Sequence, residues 1–118
     1  MKVQIPVAAE HGSNSYGEYW KFPDGLLICI GRINKNVNIH YKTEGGYYDD
    51  SYTINFPYSF KDKSSYHVNF EFVDKRFVLF IYSVTNTNST QCDINLFAHS
   101  VVDNVVTTLS FMAIGRWK

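Results

Sequence analysis

Two stretches of this chain are apolar on both alternating faces, and that restricts what it can fold into. In Leu26-Leu27-Ile28-Cys29-Ile30-Gly31-Arg32-Ile33, an extended backbone points Leu27, Cys29 and Ile33 one way and Leu26, Ile28 and Ile30 the other. The stretch Arg76-Phe77-Val78-Leu79-Phe80-Ile81-Tyr82-Ser83-Val84 has the same character. A strand that is apolar on both sides is covered on both sides. A chain of 118 residues has one core to offer as a cover. The second cover is expected from another subunit.

The rest of the pattern is also β. Pro23-Asp24-Gly25 separates Tyr19-Trp20-Lys21-Phe22 from the first apolar stretch, which reads as a hairpin. Asn34-Lys35-Asn36 and Glu44 to Asp50 read as polar breaks flanking a short strand from Val37 to Lys42. Ser51 to Phe56 alternates and stops at Pro57. Tyr66 to Val73 has period two, with Val68, Phe70 and Phe72 on one face, and Asp74-Lys75 reads as a two-residue turn into the second apolar stretch. A polar loop at 85–90 precedes strands from Cys92 to Ala98 and Val105 to Ile114, with a turn over Val101 to Asn104. No apolar stripe recurs every 3.6 residues over a useful length. These strands predict an all-β fold, a small antiparallel β-sandwich. Residues 1–17, with loop-like composition from Ala8 to Ser15, read as an N-terminal connector or extended segment, and 18–118 as the sandwich domain. The expected core comprises Trp20, Phe56, Phe60, Phe70, Phe72, Phe77 and Leu79.

Charge narrows the function. Eleven Lys and Arg balance eleven Asp and Glu, so there is no basic stripe to displace counterions from nucleic acid or to hold an anionic membrane. Met1-Lys2-Val3-Gln4-Ile5-Pro6 lacks a signal-peptide apolar run. Nothing approaches the roughly 20 apolar residues of a membrane span, so no membrane insertion is expected. The product is expected to be made in a cytoplasm. Cys29 and Cys92 lie outside any metal-type spacing and read as buried free thiols. His11, His40, His67 and His99 form no metal-ligand spacing, so neither metal nor cofactor is expected. Asp49 and Asp50 are adjacent and point to opposite faces of an extended chain, a poor acid–base couple. With no phosphate loop and no nucleophile motif, the chain does not read as an enzyme. Asn88-Ser89-Thr90 fits a glycosylation acceptor but carries little weight without a secretory signal.

What remains is neutral loop chemistry. Tyr47-Tyr48-Asp49-Asp50 follows Gly45-Gly46, and Asn88 lies in the polar loop. Tyrosine offers a flat apolar face with a hydroxyl, while Asn and Asp offer paired polar groups. That set suits a carbohydrate, whose surface alternates CH faces with hydroxyls. Tyr47, Tyr48, Asp49, Asp50 and Asn88 are the candidate ligand-binding residues.

Three ordered segments resemble a known family. Tyr19 to Ile28, closed by Gly31, is similar to the opening motif of the phage tail-fibre C-terminal (receptor-binding) domains. Ile54-Asn55-Phe56-Pro57-Tyr58-Ser59-Phe60 resembles their central strand, and Phe111-Met112-Ala113-Ile114-Gly115-Arg116 their closing strand. The resemblance implies that the β-sandwich is a homotrimer, similar in outline to H-type lectins. It would sit at the tip of a phage or prophage tail fibre in the virion and bind a bacterial surface carbohydrate or protein without catalysis. The alternative is a trimerisation or capping module with no ligand site of its own.

Overall fold

Residues 9–49, 52–73 and 79–118 are described in the computed structural model, with Leu79, Phe80 and Tyr82 described by backbone alone. The strands are β1 (Glu10–Asn14), β2 (Gly17–Lys21), β3 (Leu26–Ile39), β4 (Tyr41–Thr43), β5 (Gly46–Tyr48), β6 (Tyr52–Asn55), β7 (Tyr66–Phe72), β8 (Leu79–Asn86), β9 (Gln91–Ala98) and β10 (Val102–Arg116). No helix occurs among the described residues. One antiparallel sheet has the order β1-β2-β3-β10-β7. In the other, β8 runs along one edge of β9, while β5 and β6 pair with successive parts of the opposite edge and β4 lies outside β5. The molecule is long and narrow, 65 × 25 × 22 Å.

The longest ladder joins β3 and β10, which pair from Leu26↔Arg116 to Ile39↔Val102. Asn34-Lys35-Asn36, expected to separate two strands, instead lies inside β3. The reason is phase. Ile33 packs on the core and Val37 and Ile39 are fully buried, in step with Leu27 and Cys29. Period two therefore continues through the polar residues: Lys35 falls in the inward phase and is partly buried, while Asn34 and Asn36 occupy outward positions. There the amides find partners across the ladder: Asn36 Nδ2 donates to Asn104 Oδ1 (3.3 Å), Asn104 N to Asn38 Oδ1 (3.0 Å) and Thr108 Oγ1 to Asn34 Oδ1 (2.7 Å). The expected turn over Val101 to Asn104 proves to be a bulge at the start of β10. The register shifts between Val102 and Val105, and Asn104 adopts φ 48°, a conformation its short amide tolerates.

Two further expectations change. Glu10–Asn14, loop-like in composition, pairs residue for residue with β2, and His11 stacks on Trp20 at 4.8 Å. Strand pairing and cross-strand contact outweigh weak local propensity here. Asp74-Lys75 lies outside the described residues, but β7 and β8 belong to different sheets and form no hairpin. Tight two-residue hairpins favour Gly or Asn at positive φ, which an Asp-Lys pair does not supply. The first turn behaves as its residues dictate. Gly25 takes φ 107°, its N–H donates to Phe22 O, and Asp24 Oδ1 accepts from Leu26 N.

The core lies between the sheets. Phe56 and Phe60 meet edge-on at 5.4 Å, and Tyr66 stacks on Phe60 at 4.7 Å while its hydroxyl donates to the Asn88 and Gln91 carbonyls. Phe111 closes the group against Phe56. Phe70 and Phe72 pack on the core but stay partly exposed. Trp20, expected inside, lies on the outer face: it is paired with the outward Ile28, and Tyr19 takes the inward position. Phe77 and the Leu79 side chain are outside the described residues.

Cys29 and Cys92 are buried and free. Burial pushes both thiols up from an ordinary 9.0 to about 12, and pushes the Tyr66 hydroxyl up to about 12 as well. Unfolded thiols ionise near 9 while folded ones stay protonated, so stability is complete below about pH 9 and is lost between about 9 and 12. Thermal melts across that range should show the midpoint falling; a flat midpoint contradicts it. Phe60→Ala should cost about 3–5 kcal/mol in urea denaturation, because the Phe56 and Tyr66 rings packed on it cannot close over the void.

Candidate functional site

The β4–β5 hairpin turns at Glu44-Gly45 and places aromatic residues in a row. Tyr41 is opposite Tyr48, and Tyr48 is opposite Phe97 on β9. Tyr47 packs on the core, and Leu96 and Ala98 are buried. Strand alternation therefore turns Tyr48 and Phe97 to the outer face of the sheet. Tyr41 and Tyr48 stack with centroids 5.4 Å apart and planes at 29°, and remain 50% and 38% exposed. The Phe97 ring lies over Gly46, where a Cβ would come within 2.3 Å of it. His99 meets Phe97 edge-on at 5.5 Å, with Nδ1 3.4 Å from the Gly45 carbonyl oxygen. Beside Tyr41, His40 hydrogen-bonds to the Asp103 carboxylate. The result is a flat, open aromatic platform with polar groups at its margin.

The candidate residues divide. Tyr48 is on the platform, whereas the adjacent Tyr47 faces the core. Asp49 is 2% exposed and sits where the strand breaks between β5 and β6. Its N–H donates to Leu96 O (3.3 Å), and its Oδ1 accepts from Leu96 N (2.8 Å). The carboxylate thus supplies the acceptor that an unbroken strand would have offered β9. Asp50 lies outside the described residues. Asn88 is far away: β9 separates it from Tyr48, a span of roughly 20 Å at about 3.4 Å per residue. Its Oδ1 accepts from Thr90 N (2.8 Å) and Thr90 Oγ1 (2.9 Å), which holds the turn before β9. The structure brings Tyr47, Tyr48 and Asp49 together in sequence but exposes one of them, and it leaves Asn88 at the opposite end.

Tyr41, Phe97 and His99 join Tyr48 without having been singled out by sequence. The available signal was the hairpin: Tyr41 and Tyr48 are equidistant from the turn at Glu44-Gly45. Among the described residues, no group of three His, Cys, Asp or Glu is placed to hold a metal ion.

A second surface lies on the outer face of the first sheet. Trp20, Ile28 and Ile114 form one cross-strand row, and Ile30 and Met112 stand in the next. Met112 is 48% exposed and Ile114 39%. His67 and Asn69, opposite Ile114 and Met112 on β7, border the patch. The two-faced character of β3 thus becomes an apolar patch open to the outside.

No protein-family model matches the chain, and no curated protein matches it. Solved structures do. A P. aeruginosa R1 pyocin fibre comprising C-terminal residues aligns with TM-score 0.54 and 22% identity over 93% of this chain, which spans 28% of that fragment. An N-truncated R1-type pyocin tail fibre aligns with TM-score 0.55 and 21% identity, covering 93% of this chain and 87% of its own. This chain shares the pyocin tail-fibre fold.

Asp49→Ala should cost about 1–3 kcal/mol, because it leaves the buried Leu96 N–H without its acceptor. Tyr48→Ala, at an exposed position, should change stability by no more than about 0.5 kcal/mol. Urea denaturation of both variants checks the contrast.

Proposed function

We propose that this chain is a non-catalytic receptor-binding module of a phage-type tail fibre, and that it holds a bacterial surface glycan on the Tyr41–Tyr48 platform. The exposed, stacked tyrosine pair is the observation that carries the reading. Such a surface offers CH–π contact to a sugar ring and hydroxyls at its edge. The pyocin-fibre fold supports the setting. Phe97 extends the row beside Tyr48 with its ring over Gly46, and His99 adds a ring nitrogen at the margin. An open platform gives weak single-site binding, on the order of mM or about −4 kcal/mol. Several linked copies raise avidity by about 10²–10⁴ without new contacts.

The apolar patch of Ile28, Ile30, Met112 and Ile114 supports self-association through the first sheet, in a homotrimer. The same patch favours the alternative of a trimerisation or capping module, which differs in having no ligand on the tyrosines. The two readings separate on two variants. Tyr48→Ala should abolish binding on a bacterial glycan array, or to host cells, while the oligomer is retained. Met112→Glu should dissociate the oligomer in multi-angle light scattering, because a charge on that face cannot be desolvated cheaply. An oligomeric Tyr48→Ala protein that binds as well as the parent overturns the glycan platform and leaves the capping reading.

A further inference from the structure

The outer face of the first sheet carries two opposite charges at one height. Ser110 on β10 is paired with Arg32 on β3 and with Glu71 on β7. All three share the phase of Ile28, Ile30, Met112 and Ile114, so strand alternation turns them to the same outward face. β2 pairs with β3 from Leu27 to Ile30, and β7 ends the sheet on the other side. Level with Ser110, therefore, Arg32 stands on one margin of the sheet and Glu71 on the opposite margin. Their Cα atoms are about 10 Å apart, two strand spacings. Ser110 is small, and a hollow lies on each side of it: one of about 340 Å³ beside Arg32 and Glu18, the other of about 330 Å³ beside Glu71 and Met112.

Other charges that border the apolar patch are already held. Glu18 bonds to His11 (3.3 Å), and the Arg116 guanidinium donates to the Asp24 and Lys118 carbonyls. Among the described residues, neither Arg32 nor Glu71 forms a salt bridge, and neither side chain makes a hydrogen bond. One row further along, Asn34 accepts from Thr108 (2.7 Å). Arg32 and Glu71 thus mark the line where the aliphatic patch gives way to a polar surface satisfied within the chain. A lone exposed charge is ordinary. Here the two are opposite in sign, level with each other, on opposite margins, and at the rim of an exposed apolar face.

We infer that copies of this chain associate in parallel and in register through this face, around an axis along the strands, with Arg32 of each copy against Glu71 of the next. The inference rests on the self-association proposed for the Ile28, Ile30, Met112 and Ile114 patch, and it specifies the geometry. Rotation about an axis parallel to β3 and β10 leaves heights unchanged, so residues level with Ser110 in one copy meet residues level with Ser110 in the next. It also brings the β3 margin of one copy to the β7 margin of its neighbour, which is where the two charges stand. A closed ring then repeats the contact at every seam. A two-fold axis across the strands at Ser110 would instead set Arg32 on Arg32 and Glu71 on Glu71. Guanidinium and carboxylate match as forked donors and paired acceptors. Such complementarity fixes register and orientation, while the aliphatic residues supply the apolar burial. The hollows beside Ser110 leave room for the neighbour's side chains at this level.

The test is sedimentation equilibrium of the full chain over a concentration series. The parent should be a trimer. Arg32→Glu and Glu71→Arg each put like charges at the seam, and each should raise the dissociation midpoint by about tenfold or more. The double variant Arg32→Glu/Glu71→Arg restores opposite charges and should return the midpoint to within about threefold of the parent. The penalty of each single reversal should shrink in about 0.5 M salt, because the pair lies at the rim. Thermal melts establish that each variant folds. A parent that stays monomeric throughout overturns the self-association reading, and this inference with it. An oligomeric parent whose single reversals associate as tightly as it does overturns the register alone and leaves self-association standing. So does a double variant as weak as the two singles.

Discussion

The long antiparallel ladder between β3 and β10 organises this molecule. It joins residues 26–39 to residues 102–116 and fixes which side chains face in. On its inner side, Leu27, Cys29, Val37 and Ile39 meet Leu109, Phe111 and Ala113 in the core. On its outer side, the same two strands change character along their length. Near the Pro23-Asp24-Gly25 turn the outward residues are aliphatic, and toward the far end they are amides and hydroxyls bonded to one another. One ladder thus sets the core, the apolar patch and a self-satisfied polar surface.

The remaining strands attach to this frame and carry the proposed sites. The tyrosine platform rests on a hairpin of three-residue strands held against β9. Asp49 secures its exit by replacing a missing backbone acceptor, so one of the most deeply buried carboxylates in this segment positions the platform without touching its face.

The β class, the first hairpin and the buried thiols are legible in the sequence because each rests on local pattern or composition. Phe56 and Phe60 are legible too, since large aromatic residues flanking a Pro have few places to go but the core; Phe111, which joins them, is not among the core residues expected from the sequence. The path of β3 through Asn34-Lys35-Asn36 is not. Polar residues at outward positions of a strand resemble those of a loop until the phase of Ile33, Val37 and Ile39 is considered. β1 is illegible for another reason: its stability comes from its partner rather than from its own residues. At the candidate site, the tyrosine doublet drew attention to the β4–β5 hairpin, where alternation exposes Tyr48 and spends Tyr47 and Asp49 on structure. Asn88 shares the residue type of a sugar-binding amide, and its occupation by Thr90 becomes visible once the turn is folded.

The ladder also has a consequence in time. Its two strands are separated by roughly sixty residues, which take about 3–12 s to translate at roughly 5–20 residues per second. For Leu26 to Ile33, whose partners are Arg116 to Leu109, the wait is longer still, and throughout it β3 lacks the strand that pairs along its length. Pairing so distant closes a large loop before it gains contacts, so folding is intrinsically slow. The most exposed moment of this protein's existence therefore falls on the ribosome.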